Sequence, residues 1–170
     1  AFPMMTDAQY ARKLPARQRV EGTWRFRKAG DPNERYHPVQ MPAGVHTALL
    51  QNKMIEDPFY RDNEEKLQWI EREDWEFECE FVPEEALFQR THIQMTFKGI
   101  DTYAHIYLND SLILETDNMF RTWTADVKKH LKPGKNVLHF YFDSPIKKVE
   151  PEWKALGYEL PGSNAIRTMT

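Results

Sequence analysis

The stretch between residues 55 and 70 holds the side chains best suited to chemistry. Its aromatic residues Phe59, Tyr60 and Trp69 lie close in sequence to the amide of Asn63 and the carboxyl group of Glu64. Aromatic rings can stack on the C–H face of a sugar, while amides and carboxylates can hydrogen-bond its hydroxyl groups. The stretch has neither strand nor helix periodicity, and a loop of this length is usually functional or mobile. Its composition predicts either a carbohydrate-facing loop or an interdomain strap with buried aromatic residues.

Other residue types that could act as nucleophiles or metal ligands form no recognisable site. The single cysteine, Cys79, alternates with glutamates and lacks a paired base, so we expect a buried apolar residue. The six histidines are scattered, and His46 is interpreted as a packed or capping residue rather than a ligand. No glycine-rich phosphate loop and no Ser-His-Asp or Cys-His arrangement is visible. We therefore predict no catalytic residue, no metal and no cofactor in this chain.

Length and charge narrow the classes of partner. The chain has 170 residues, enough for one domain, and a net charge of −3 argues against a general nucleic-acid binder. From Glu56 to Glu85, thirteen acidic and three basic residues indicate a solvated acidic face, or an interdomain or carbohydrate-facing surface. No apolar run approaches the roughly 18 residues of a membrane helix, so no membrane partner is expected. One cysteine leaves the cellular compartment open, and the start at Ala1 suggests a trimmed N-terminus.

The elements around these residues are mostly strands with a period of two, as half-buried strands require. Strands are predicted at residues 23–27, 36–41, 75–81, 91–98, 103–108, 112–114, 122–127 and 136–143. Asn109-Asp110 should form a tight reversal between two of them, because both residues tolerate positive φ. A helix is predicted from His46 to Lys53, with Val45, Leu49 and Leu50 on one face. Short strands without a βαβ rhythm predict an all-β, antiparallel β-sandwich.

Alternation also predicts which side chains fill the core of this sandwich. In the clearest strand, Trp75–Phe81, the aromatic residues and Cys79 should face inward and the three glutamates outward. The predicted buried set is Trp24, Phe77, Phe81, Ile93, Met95, Ile106, Leu108, Leu138 and Phe140.

Several motifs, taken in order, resemble the N-terminal domain of the β-mannosidases in glycoside hydrolase family 2. They are Pro42-Ala43-Gly44-Val45-His46-Thr47, Asp57-Pro58-Phe59-Tyr60 through Asn63-Glu64 to Trp69, Asp74-Trp75, Gly99-Ile100-Asp101-Thr102, Tyr107-Leu108-Asn109 and Asp117-Asn118-Met119-Phe120-Arg121. The resemblance covers residues 21–146 and implies a jelly roll of the galactose-binding type. It divides the chain into an N-terminal arm (1–20), the sandwich (21–146) and an extended excursion towards downstream sequence (147–170).

The resemblance also implies a function. The domain would be a non-catalytic part of a retaining exo-β-mannosidase, and both catalytic carboxyl groups would belong to a downstream (β/α)8 barrel of the same polypeptide. Asn63-Glu64 is then not the Asn-Glu pair that carries the general acid in this group, because that pair lies at the end of a barrel strand. Asn63, Glu64 and Trp69 become candidate contacts to a terminal β-mannoside. The same resemblance implies a periplasmic, secreted or lysosomal protein.

Other functions remain open at this point. The chain could be an autonomous carbohydrate-binding or adhesive sandwich, a purely structural interaction domain, or the same domain of a β-galactosidase or β-glucuronidase. Downstream sequence would separate these readings, as would sugar binding by the isolated chain.

Overall fold

Two antiparallel sheets form the fold in the computed structural model. The structure describes residues 17–41, 43–56, 67–98, 100, 103–117 and 122–144, together with the strand at 166–169. The strands are β1 (Thr23–Lys28), β2 (His37–Val39), β3 (Trp75–Phe81), β4 (Gln94–Lys98), β5 (Ala104–Leu108), β6 (Ser111–Thr116), β7 (Thr122–Asp126), β8 (Asn136–Phe142) and β9 (Ile166–Met169). One sheet has the order β2-β1-β3-β8-β5-β6 and the other β7-β4-β9. Within this part of the chain, no helix is long and apolar enough to cross a membrane.

Strict alternation positions the large sheet on the core. Strand β3 lies between β1 and β8, with Phe77 opposite Phe26 on one side and Phe140 on the other. Buried and half-buried side chains alternate along β3, β5 and β8. All nine residues predicted to be buried are at most 9% exposed. Phe97 of β4 meets Phe140 of β8 edge to face, with ring centroids 6.0 Å apart, so the core lies between the two sheets. The prediction of an all-β sandwich is confirmed.

The reversal between β5 and β6 follows the predicted chemistry. Asn109 and Asp110 have φ values of 48° and 69°, the left-handed region that these residue types tolerate. The Asn109 side chain also donates to the carbonyl of His130 at 2.9 Å and accepts from the Val137 N–H at 3.0 Å. This turn is therefore fixed to His130, before β8, and to β8 itself, as well as to its own hairpin.

The first helix differs from its prediction at one residue. It spans Val45–Gln51 and buries Val45, Ala48 and Leu49, whereas Leu50 is 41% exposed. The prediction for Leu50 was wrong because each residue of an α-helix advances by about 100°. Ala48 and Leu49, three and four positions after Val45, share its face of the helix. Leu50, five positions after Val45, points away from that face. A four-residue helix, Glu85–Phe88, follows β3 in the described part of the chain.

Two further elements fall where no periodicity predicted them. A 3-10 helix spans Gln68–Arg72, at the end of the stretch predicted to be irregular. Strand β9, within the predicted excursion, pairs with β4 through Met95 and Met169. Residues 1–16, 57–66 and 145–165 lie outside the described residues, so the arm and the domain boundaries stay predictions.

Candidate functional site

The structure describes one of the three predicted sugar contacts. Asn63 and Glu64 lie outside the described residues. Trp69 belongs to the 3-10 helix, and its side chain is 42% exposed. Its ring lies against that of Trp75, with centroids 6.1 Å apart and the planes inclined at 47°. Trp69 therefore offers solvent an aromatic surface that a buried ring supports from behind.

Side chains from the large sheet hold the backbone of this 3-10 helix. The indole N–H of Trp75 donates to the carbonyl of Ile70 at 3.0 Å. The hydroxyl of Ser144, two residues after the end of β8, donates to the carbonyl of Glu71 at 2.7 Å. Ile70 is also fully buried in the core. The segment that carries Trp69 is thus anchored to β3, to the end of β8 and to the apolar interior.

Asp74 connects the strands and the 3-10 helix at this point of the fold. Its carboxylate accepts a hydrogen bond from the hydroxyl of Tyr141 at 2.8 Å and another from the N–H of Ser144 at 2.6 Å. Its carbonyl accepts from the N–H of Ala29 at 2.9 Å, just after β1. Burial and the hydrogen bond to Asp74 raise the pKa of Tyr141 well above its ordinary value, so the phenol stays a donor. We name Asp74, Tyr141 and Ser144 the Asp74 junction.

Sequence reasoning did not identify the Asp74 junction. Asp74 appeared only as part of the Asp74-Trp75 dipeptide in the family resemblance, and Tyr141 only as an outward residue of a strand. The partners of Asp74 lie 67 and 70 positions away in sequence. Local periodicity cannot reveal such pairs, because it reports which face a side chain occupies and not what lies across the sheet.

The glutamates of β3 face outward, as predicted, but basic neighbours compensate their charge. Glu78 receives hydrogen bonds from the guanidinium of Arg25, and the carboxylate of Glu76 lies 2.7 Å from the Nε of Arg27. His139 lies between the two glutamates, with its ring nitrogens 3.1 and 3.2 Å from their oxygens. Burial pushes the pKa of Glu78 upward, but the hydrogen bonds from His139 and Arg25 outweigh it, so the pKa lies below its ordinary value. This part of the acidic run is an ion-pair network rather than a free acidic face.

The remaining candidates for chemistry are set in unreactive surroundings. Cys79 is fully buried, and burial together with nearby Glu80 raises its pKa to about 12, so the thiol is protonated at neutral pH. His46 is partly buried, and burial lowers its pKa. No cluster of three or more His, Cys, Asp or Glu side chains that could hold a metal ion occurs among the residues described.

Comparisons with known proteins agree with this fold. Residues 24–170 match the family model for the glycosyl hydrolase 2 galactose-binding domain-like domain. The chain is 37% identical to β-mannosidase B of Thermothelomyces thermophilus over 130 residues, 74% of this chain and 15% of that protein. It is 33% identical to β-mannosidase of Mus musculus over 143 residues, 84% of this chain and 16% of that protein.

A solved structure gives the same result. The β-D-mannosidase of Dictyoglomus thermophilum matches with a TM-score of 0.73 and 38% identity, over 85% of this chain and 18% of that chain. The exo-chitosanase CsxA of Amycolatopsis orientalis matches with a TM-score of 0.69 over 91% of this chain and 20% of that chain. Its identity is only 13%, so this likeness shows the fold alone. The chain thus spans no more than about a fifth of the length of these proteins. It belongs to the galactose-binding-like N-terminal domains of glycoside hydrolase family 2, as found in β-mannosidase-like proteins.

Proposed function

We propose that this domain serves a retaining exo-β-mannosidase as a non-catalytic part that stabilises the catalytic barrel and helps to shape the terminal-sugar pocket. The observation that carries the proposal is the identity of 33–37% with β-mannosidases of which the domain forms only about a sixth. The chemistry of the described residues supports a non-catalytic part. The outward carboxylates of β3 are engaged by Arg25, Arg27 and His139, and Cys79 is buried and protonated.

The pocket-shaping part of the proposal rests on the segment from Asp57 to Trp69. An exo-acting enzyme must close the far side of the subsite that takes the terminal sugar, and a loop from a neighbouring domain can do so. Trp69 supports this role because its ring is exposed while its backbone is anchored. We propose that Asn63, Glu64 and Trp69 lie nearest the bound mannoside in the whole enzyme, against the mouth of the barrel.

Kinetics of the full-length enzyme test the proposal. The wild-type enzyme should hydrolyse an aryl β-mannoside, and Asn63→Ala or Trp69→Ala should lower kcat/KM without lowering Tm. Leu112→Ala is the control, because Leu112 is similarly exposed (48%) but lies on the distant edge strand β6. If these variants keep normal kinetics but have a lower Tm, the loop only connects the domains and does not contact the substrate.

Two experiments on the isolated 170-residue chain separate the alternatives. We expect no turnover of the aryl β-mannoside, and turnover that Glu64→Gln abolishes would overturn the non-catalytic assignment. Calorimetry should show very weak binding of mannose, because the chain provides only part of the pocket. Tight binding would instead favour an autonomous carbohydrate-binding module.

A further inference from the structure

We infer that Asp74 is a positioning residue for the sugar site and that, through Tyr141 and Ser144, it fixes the indole of Trp69 as a stacking surface for a pyranose ring. This inference rests on the proposed function, because it takes the segment that carries Trp69 to be part of the terminal-sugar pocket. It assigns a role to three polar side chains that have no part in the chemistry itself.

The first step of the argument is the path of the hydrogen bonds. Asp74 accepts from the N–H of Ser144, and the hydroxyl of Ser144 in turn donates to the carbonyl of Glu71, within the 3-10 helix. Asp74 thereby sets the position of the group that holds the helix backbone. Tyr141 fixes the other carboxylate oxygen, so rotation of Asp74 would break both contacts. The carboxylate is thus held by two hydrogen bonds, and through Ser144 it determines where the 3-10 helix lies.

The second step is the burial of the two residues that donate to the backbone of the 3-10 helix, Ser144 and Trp75. Ser144 is 1% exposed and Trp75 is 2% exposed, so water cannot readily replace their hydrogen bonds. Hydrogen bonds to a charged acceptor such as the Asp74 carboxylate are also stronger than neutral ones. The exposed indole of Trp69 therefore rests on a helix that has little freedom to move.

The third step concerns what this rigidity can do. Stacking on a sugar requires the ring plane to face the C–H groups, and a displacement of about 1 Å can cost a large factor in rate. A preformed ring also lowers the ordering cost of binding. Asp74 and Tyr141 are half-buried and lie outside the apolar core between the sheets. We therefore expect the Asp74 junction to position Trp69, while the apolar core stabilises the fold.

A double-mutant cycle in the full-length enzyme tests this role. Asp74→Asn should lower kcat/KM for an aryl β-mannoside by about tenfold, mainly through KM, since it weakens a charge-assisted contact that orients a binding surface. Trp69→Ala should lower it at least as much. In the double variant, Asp74→Asn should add little further loss, because it acts through a ring that is already gone. Tyr107→Phe is the matched control for a milder variant, Tyr141→Phe, because both tyrosines lie half-buried on the outer face of the same sheet.

Additive losses in the cycle, or unchanged kcat/KM in Asp74→Asn, would overturn the inference. A full-length enzyme without activity on the mannoside would refute the proposed function instead. In that case 19F spectra of the 170-residue chain labelled with 5-fluorotryptophan still decide the positioning role. The Trp69 resonance, assigned with Trp69→Phe, should shift or broaden in Tyr141→Phe and stay in place in Tyr107→Phe. An unmoved Trp69 resonance in Tyr141→Phe would also overturn the inference.

Discussion

Truncation of Phe140 should cost more stability than any other single change considered for this domain. Phe140 is 1% exposed at the centre of β8. The centroid of its ring lies 5.8 Å from the ring centroid of Trp24 and 5.9 Å from that of Phe142, both in the same sheet. The ring centroid of Phe97, in the opposite sheet, is 6.0 Å away. Neighbours on two hydrogen-bonded sheets cannot easily collapse into the space that alanine would leave. Phe140→Ala should therefore lower the free energy of unfolding by roughly 3–5 kcal/mol.

Equilibrium denaturation of the 170-residue chain in guanidinium chloride measures this loss. The midpoint should fall while the m-value stays constant, because the change affects stability and not the surface exposed on unfolding. Leu112→Ala, at a position that is 48% exposed, should change the free energy of unfolding by no more than about 0.5 kcal/mol. A loss below about 1 kcal/mol for Phe140→Ala, at unchanged m, would refute the assignment of Phe140 to the centre of the core.

Three further predictions follow from single contacts. Gly22→Ala should destabilise the chain by about 1–3 kcal/mol in the same assay, because the new Cβ would lie 1.9 Å from the carbonyl oxygen of Glu80; unchanged stability would contradict the close approach. Cys79, with a pKa raised to about 12, should react with a thiol reagent such as DTNB at pH 8 only after unfolding, and rapid labelling of the native chain would contradict its burial. The folded-state pKa of Glu78 is lowered, so its stabilising effect is present above its ordinary value of 4.5 and is lost as the pH falls through the folded-state pKa. The stability gap between the wild type and Glu78→Gln should therefore narrow as the pH falls below 4.5, and a constant gap in thermal melts from pH 7 to pH 3 would count against that assignment.

Most of the fold was predictable because its strands alternate strictly. In β3, aromatic residues and Cys79 alternate with three glutamates, and only one register buries the apolar set. The same reasoning placed Phe140 and Ile106 in the core before their strand neighbours were known. The Asn109-Asp110 turn was predictable for a separate reason, because few residue types tolerate the positive φ values that both adopt.

The errors and omissions arise where periodicity is short or absent. Leu50 was assigned to the same helix face as Val45 and Leu49, yet each step along a helix turns the side chain by about 100°, and Leu50 is exposed. The 3-10 helix at Gln68–Arg72 has only five residues, too few for a pattern to show, and side chains from elsewhere hold it. Strand β9 has four residues, and it pairs with β4, whose residues lie about 70 positions earlier in the sequence.

In the acidic run from Glu56 to Glu85, the structure describes Glu56 and a second part, residues 67–85. Glu76 and Glu78, in the second part, are engaged by Arg25, Arg27 and His139 across the outer face of the large sheet. Carboxylates held in this way gain little from exchanging a guanidinium for a sugar hydroxyl, because charge-assisted hydrogen bonds are the stronger ones. The proposed carbohydrate contacts involve neither of these two glutamates, and they lie in the part of the run before β3. That part ends at Trp69 and the Asp74 junction, where the proposed stacking surface lies.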